Sequence, residues 1–340
     1  MTRARDTANT QENIGGSVAP IVGAKNIVIN GGIDFWQRGT TFTGFNPGAY
    51  SADRWGITST GTGINTTVTQ DTSTPNASIK YAIKYQQVSG TSTGVTEWRG
   101  RQFIEVSAVR PLQGKFITTS FWYKSNLTGN HVIRVGIFQA TGSGLDSLQS
   151  FSYPTANVWQ YVSVTHSCLV GTTGWSVAEN QAGAFLDVGP SQTSYAANDY
   201  FEFTNMQLES GSVATPFSRA GGTYQGELAA CQRYYYRIGG SYVYEILGVG
   251  NARSTTVGDV VLSMPVTMRT APSSIDFSSI ALLRDFGSSP IAITSVAFSG
   301  AGKNTVISGC TVASGLTAGQ NYYTVANNST SAYVAVSAEL

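Results

Sequence analysis

From Asn26 onward, short apolar runs alternate with clusters of Gly, Ser, Thr, Asn and Pro, and almost nothing keeps the 3.6-residue period of an amphipathic helix. Ile27-Val28-Ile29 leads into Asn30-Gly31-Gly32, a turn whose glycines reach backbone angles closed to other residues. Further runs predict strands over 79–87, 102–107, 116–123, 131–139, 158–166, 183–188 and 199–208. Across 131–138, His131, Ile133, Val135 and Ile137 share one strand face and make it the more apolar of the two. The stretches 125–130, 142–146, 171–174 and 189–197 have surface-loop compositions. After Tyr234-Tyr235-Tyr236 a second series of strands is predicted over 257–268, 273–283, 291–298, 304–312, 320–326 and 331–338. Leu228 and Cys231, three residues apart, predict one short helical turn over 227–233. No period of 20–50 residues is visible, which argues against solenoids and propellers. The fold class that follows is all-β: an N-terminal jelly-roll β-sandwich, then a second, smaller β-sandwich domain.

The divisions come from changes in texture. Residues 1–20 are a polar arm, with at most a short helix near its start, and 21–218 form the jelly roll. Residues 219–226 (Arg-Ala-Gly-Gly-Thr-Tyr-Gln-Gly) read as a flexible bridge, leaving 227–340 as the C-terminal β-domain. All six tryptophans, at 36, 55, 98, 122, 159 and 175, precede the bridge, as expected for two separate cores.

Composition narrows the function. Charged residues are only 11% of the 340, and the net charge is +1 without a basic run, so a phosphate-tracking, nucleic-acid-binding surface is not expected. Cys168, Cys231 and Cys310 are odd in number and far apart, which reads as buried free thiols. The first residues lack the apolar stretch of a secretory leader, and no apolar run is long enough to span a bilayer. Synthesis in a reducing cytoplasm is therefore expected.

Two blocks carry a resemblance. One is Asn30-Gly31-Gly32-Ile33-Asp34-Phe35-Trp36-Gln37-Arg38-Gly39 with Tyr50-Ser51-Ala52-Asp53-Arg54-Trp55. The other is Asn205-Met206-Gln207-Leu208-Glu209-Ser210-Gly211-Ser212-Val213-Ala214-Thr215-Pro216-Phe217 with Glu227-Leu228 and Cys231-Gln232-Arg233-Tyr234-Tyr235-Tyr236. Together they resemble the carbohydrate-binding-module-like jelly roll of phage tail-fibre and adhesin proteins. The stretch from Val266 to Pro272 and the ending Ala338-Glu339-Leu340 are similar to the C-terminal β-domain that often follows it. The resemblance implies a non-catalytic virion protein, in the tail rather than the capsid, held to other virion proteins by the arm. It also implies adhesion to host-surface glycan and assembly as a homotrimer. A capsid head-fibre or decoration protein, or a glycan-degrading tail spike, are the alternatives.

The residues themselves assign structural jobs first. Asp34, Arg38, Asp53 and Arg54 are expected to form charge-assisted pairs that fasten the first strand to the loop of Trp55. Phe201, Phe203, Met206 and Leu208 read as a closing strand paired with the first. His131 and His166 read as satisfied strand positions. Glu97, Glu105, Glu179 and Asp187 are the carboxylates that glycan cleavage would draw on, with no spacing that pairs any two. For sugar stacking, Trp98, Trp175, Tyr153 and Tyr195 lie in turn-like settings and are the candidate platform, while Trp122 and Trp159 are expected in the core. A structural calcium, common in such jelly rolls, would draw on Asp187, Asp199 and Glu202. The distal C-terminal loops, 248–252, 287–290 and 300–303, are expected to face the host, with Tyr323 and Tyr333 as possible lining residues.

Overall fold

The computed structural model describes residues 25–112, 114–138, 146–166 and 181–340. The expected arm, residues 1–20, lies outside them.

Two antiparallel sheets enclose the first core. One has the order β1 (Thr41–Phe45), β3 (Thr66–Asp71), β4 (Ala82–Gln87), β11 (Tyr200–Ser210), β6 (Ile117–Ser125), β9 (Gln160–His166). The other runs β2 (Gly56–Thr62), β5 (Thr93–Glu105), β10 (Ala182–Pro190), β7 (Gly129–Ile137), β8 (Asp146–Tyr153). A single helical turn, α1 (Val106–Val109), follows β5. The period-2 pattern sets the inner faces: His131, Ile133, Val135 and Ile137 are all buried, while Arg134 between them points outward. Buried residues from both sheets, between Val28 and Leu208, make one continuous core. β1, β2, β3 and β8 escaped the sequence pattern because they are rich in Thr, Ser and Gln, and β1, β2 and β8 lie at sheet edges where little alternation is required.

The segment around Ile27 is not a regular strand, yet it pairs with the closing one. Ile27 N donates to Leu208 O (3.1 Å) and Met206 N to Gly31 O (2.9 Å). It occupies the flank of β11 beyond residues 200–203, where pairing with β4 ends. A Cβ on Gly31 would stand 2.0 Å from the Met206 carbonyl oxygen, so only glycine permits this approach.

The second core is confined to residues 247–338. β12 (Tyr235–Gly239), β20 (Tyr333–Ser337) and β15 (Ser274–Ser278) form a three-stranded sheet with β20 in the middle. The remaining strands, in the order β13 (Ile246–Ala252), β14 (Val257–Ser263), β18 (Thr305–Val312), β17 (Ile291–Ala301), β16 (Ile280–Leu283), β19 (Asn321–Ala326), close on themselves as a barrel. Where the sequence suggests a smaller sandwich, β19 pairs with both β13 and β16, and closure removes the sheet edges. The stretch 248–252, expected as a loop, is corrected to strand: it is the last five residues of β13. A Cβ on Gly250 would lie 1.9 Å from the Asp259 carbonyl oxygen, so its glycine marks a close approach of backbones and not a turn. The loop expected at 300–303 likewise begins inside β17, which runs to Ala301.

The expectation of a flexible bridge at 219–226 is also corrected. Arg219 is ion-paired with Asp34 at 2.8 Å, and Gly221 and Gly226 touch backbone to backbone. Thr223 caps α2 (Tyr224–Gln232), accepting from Gly226 N at 3.0 Å. The Glu227 carboxylate, fully buried, accepts from Gly221 N (2.6 Å) and from Asn30 N.

Beyond the bridge the two units meet at a polar seam. Glu339 pairs with Arg38 at 3.0 Å and with Arg54. The Arg54 guanidinium lies 3.6 Å above the Tyr234 ring and that of Arg38 lies 3.7 Å above Tyr235. Gln37 Nε2 donates to Tyr235 O (2.9 Å), the Tyr50 hydroxyl to Leu340 O (2.7 Å), and Arg233 pairs with Glu105 at 3.0 Å. Of the pairs expected among Asp34, Arg38, Asp53 and Arg54, only Arg38–Asp53 forms, at 3.8 Å; Asp34 and Arg54 are drawn to Arg219 and Glu339. Most of the sequence blocks that carry the family resemblance therefore converge on this junction.

Candidate functional site

The expected sugar platform is corrected by the structure. Trp98 is fully buried, its indole N–H donating to Thr66 Oγ1 (2.9 Å), and it packs 4.5 Å from Tyr195 and 5.0 Å from Phe201 between ring centroids. Tyr195 is buried too, its hydroxyl accepting from Gln192 N at 3.1 Å, and burial pushes that phenol up to about 12. The buried Tyr153 hydroxyl donates to Val158 O (2.7 Å) and accepts from Ser125 N (3.1 Å). Trp98 lies in the middle of β5 and Tyr153 at the end of β8 and not in turns, and all three rings belong to the core between the sheets, where a large aromatic surface is worth more buried than solvated. Trp175 lies outside the described residues.

The calcium set does not fit a shared ion. Asp187, on β10, is bidentate to Arg101 at 2.6 and 2.7 Å. Glu202, on β11 of the other sheet, pairs with Lys124 at 2.6 Å, and burial raises its carboxyl to about 7. Asp199 accepts from Ala196 N at 2.7 Å. Among the described residues no group of three or more His, Cys, Asp or Glu side chains comes together.

The other titratable groups are tied to the fold. His131 bonds the Tyr123 hydroxyl at 2.8 Å and His166 bonds Thr119 Oγ1 at 3.0 Å; burial lowers both rings to about 4. Glu97 pairs with Arg134 at 2.8 Å, and Glu105 with Arg233 across the seam. Glu179 and Cys168 lie outside the described residues; Cys231 and Cys310 are buried free thiols.

A groove of about 720 Å³ opens on the outside of the barrel. Cross-strand register builds it: Tyr323 stands opposite Val249, Val249 opposite Val261, and Val261 opposite Ile307. These four side chains, on β19, β13, β14 and β18, form one outward apolar row, each between 36% and 54% exposed. Two residues along the same strands, Asn321, Asn251 and Asp259 stand opposite one another as a parallel polar row. Arg284 also lines the groove, and Phe286 lies 5.9 Å from the Tyr323 ring. Sequence reasoning reached this site only through Tyr323, because its central strand was read as a loop. The alternation of Val249 and Asn251 around Gly250 was the signal available. Tyr333, the other tyrosine considered, packs under Arg237 at 4.0 Å and bonds Asp276.

No protein-family model matches the chain, and no curated protein matches it. Among solved structures, the enzymatically active domain of tailspike protein 4 of bacteriophage CBA120 is similar over 55% of this chain, with 15% identity and a TM-score of 0.35. This chain covers only 22% of that one. The TmCBM61 module solved with β-1,4-galactotriose is covered fully, with 55% of this chain, 11% identity and a TM-score of 0.31. A family 22 carbohydrate-binding module of Clostridium thermocellum Xyn10B is covered to 97%, with 52% of this chain, 10% identity and a TM-score of 0.30.

Proposed function

We propose that the chain is a non-catalytic virion protein of a tailed bacteriophage, of tail-fibre or adhesin type, that holds host-surface glycan in the barrel groove. The observation that carries the ligand is the pairing of an apolar row with an Asn-Asn-Asp row across adjacent strands. A saccharide chain has the matching character, with apolar ring faces and hydroxyl edges. Three inter-strand spacings of about 4.8 Å give the apolar row a length of about 14 Å, suited to a short oligosaccharide. The virion assignment rests on the sequence resemblance, with residues 1–20 as the attachment to other virion proteins. The protomer is assigned to a homotrimer. The pairing of Glu97, Glu105, Asp187 and Glu202 with cations supports the non-catalytic reading.

The test uses the full-length protein and host surface polysaccharide. Binding is expected for the wild type, with a loss of tenfold or more in Tyr323→Ala and Val261→Asp, and no new reducing ends on prolonged incubation. Undiminished binding in both variants would remove the groove from the mechanism. Negative-stain imaging with a labelled C-terminus locates the protein in the particle, and labels on the capsid shell would overturn the tail assignment.

A further inference from the structure

A second cavity, of about 280 Å³, lies on the outer face of the six-stranded sheet of the sandwich, and a defect in β11 makes it. Thr204 stands opposite Trp122 and Gln207 opposite Ser120, so two residues, Asn205 and Met206, face the single Phe121. This is a β-bulge. Met206 takes the inward direction and is fully buried, while Asn205 is forced outward with a left-handed φ of 49°. Asparagine tolerates that conformation better than other residues with a side chain, and such positions concentrate where a function needs them.

The walls are aromatic. Trp122 and Tyr161, paired across β6 and β9, meet edge to face with centroids 5.6 Å apart, and Tyr161 is 47% exposed. Phe217 faces them from the segment after β11.

Three polar groups that line the cavity lack partners, whereas Asn76 and Ser78 on its wall bond one another. Of the five described tryptophans, Trp36, Trp55, Trp98 and Trp159 each donate their indole N–H to a protein oxygen at 2.9–3.0 Å. Trp122 does not: among the described residues nothing accepts from its Nε1, and nothing bonds the Asn205 amide or the Ser120 hydroxyl. Ser120 is itself only 3% exposed, so its hydroxyl is held at the cavity with little other solvent. Folded proteins pair most such groups, and these three share one small chamber. No charged residue lines it.

We infer that this cavity is a separate binding site for a single neutral sugar ring. Its apolar face stacks on Trp122 and Tyr161, and its hydroxyls engage Asn205, Ser120 and the Trp122 N–H. The inference goes beyond the barrel reading and does not rest on it. The fit is to a terminal residue or free hexose, because the cavity is less than half the volume of the barrel groove and a charged sugar would meet no counter-charge.

The test is ligand-observed saturation-transfer NMR on the full-length protein with free glucose, galactose and mannose at millimolar concentration, and glucuronate as the charged comparison. At least one hexose is expected to bind, more tightly than glucuronate. Measured in a Tyr323→Ala background, which removes any contribution from the barrel groove, affinity should fall tenfold or more in Tyr161→Ala and severalfold in Trp122→Phe. Asn205→Gly guards against misfolding, since glycine accepts the left-handed backbone while the amide is lost; it too should weaken binding severalfold. The proposal is overturned if no hexose binds, if glucuronate binds better, or if binding survives both Tyr161→Ala and Asn205→Gly. Loss of binding only in Tyr323→Ala would leave the barrel groove standing and remove this site.

Discussion

Replacing Glu339 with alanine is the sharpest perturbation of the junction. Its carboxylate is 7% exposed and neutralises two cations, Arg38 and Arg54, of which Arg54 is only 1% exposed. Removing one partner of a buried pair leaves the other charge desolvated without compensation, which costs about 3–5 kcal/mol. Burial of Arg54 is the reason the loss cannot be made up by water. For a unit of about 150–250 residues each kcal/mol moves the melting midpoint by roughly 2–4 °C, so a fall of roughly 6–20 °C is expected. Because all six tryptophans lie in the first 175 residues, their fluorescence follows the sandwich, whereas far-UV circular dichroism follows both units. In the wild type the two urea transitions should coincide. In Glu339→Ala they should separate, and Glu339→Gln, which keeps the size and loses the charge, should fall between. A loss under about 1 kcal/mol in Glu339→Ala, or wild-type transitions already separate, would refute the reasoning.

Gly31→Ala drives a methyl group against the Met206 carbonyl oxygen and is expected to cost about 1–3 kcal/mol in urea titration; a neutral result would mean the first segment can move off β11. Trp98→Ala should cost about 3–5 kcal/mol by the same measurement, as a core deletion, while Tyr323→Ala leaves stability unchanged. His131 and His166 are lowered to about 4, so the unfolded chain binds protons first. Their contribution is present above pH 6.5 and lost as the pH falls through 4, a decline that His131→Asn/His166→Asn should flatten. Glu202, raised by burial to about 7, has the opposite sign: stability present below pH 4.5 is lost as the pH rises through 7. Glu202→Gln should therefore gain on the wild type across that window in urea titrations at successive pH values. Light scattering should give three times the 36.0 kDa chain mass, and a single-chain mass at micromolar concentration would exclude the trimer.

Strands were legible in the sequence where apolar alternation is unbroken, as over 131–137 and 200–208, since burial of one face dictates the pattern. They were illegible where threonine and other polar or small residues supply both faces, as in β2 and β3, and where glycine serves close packing, as in β13. The aromatic platform failed for a related reason. Local sequence places Trp98 and Tyr195 near turns, but whether a ring turns inward depends on distant partners, here Thr66 and Phe201. Trp122 and Trp159, expected in the core, erred in the other direction: Trp122 is in a strand but faces outward, and Trp159 precedes β9, only part-buried, with its indole N–H on Ser73 O. The charged residues of the first block were recognised as fasteners, but their main partner, Glu339, is some 300 positions away and carries no local sign of its role.

The chain enters the second unit on β12 and leaves it on β20, and these two strands lie side by side, from Tyr235 against Ser337 to Gly239 against Tyr333. Everything that shapes the barrel groove is thus threaded between two neighbouring points of a fixed base. Such an insertion has the connectivity of a cassette, though it shares one core with β20. A replacement for the stretch from Gly240 to Ala332 would have to restore β15 beside β20 and the Arg269 bonds to the Ala338 and Glu339 carbonyls next to the Arg38–Arg54–Glu339 clasp. The outward faces of β13, β14, β18 and β19 can then vary while those contacts hold the barrel to its base.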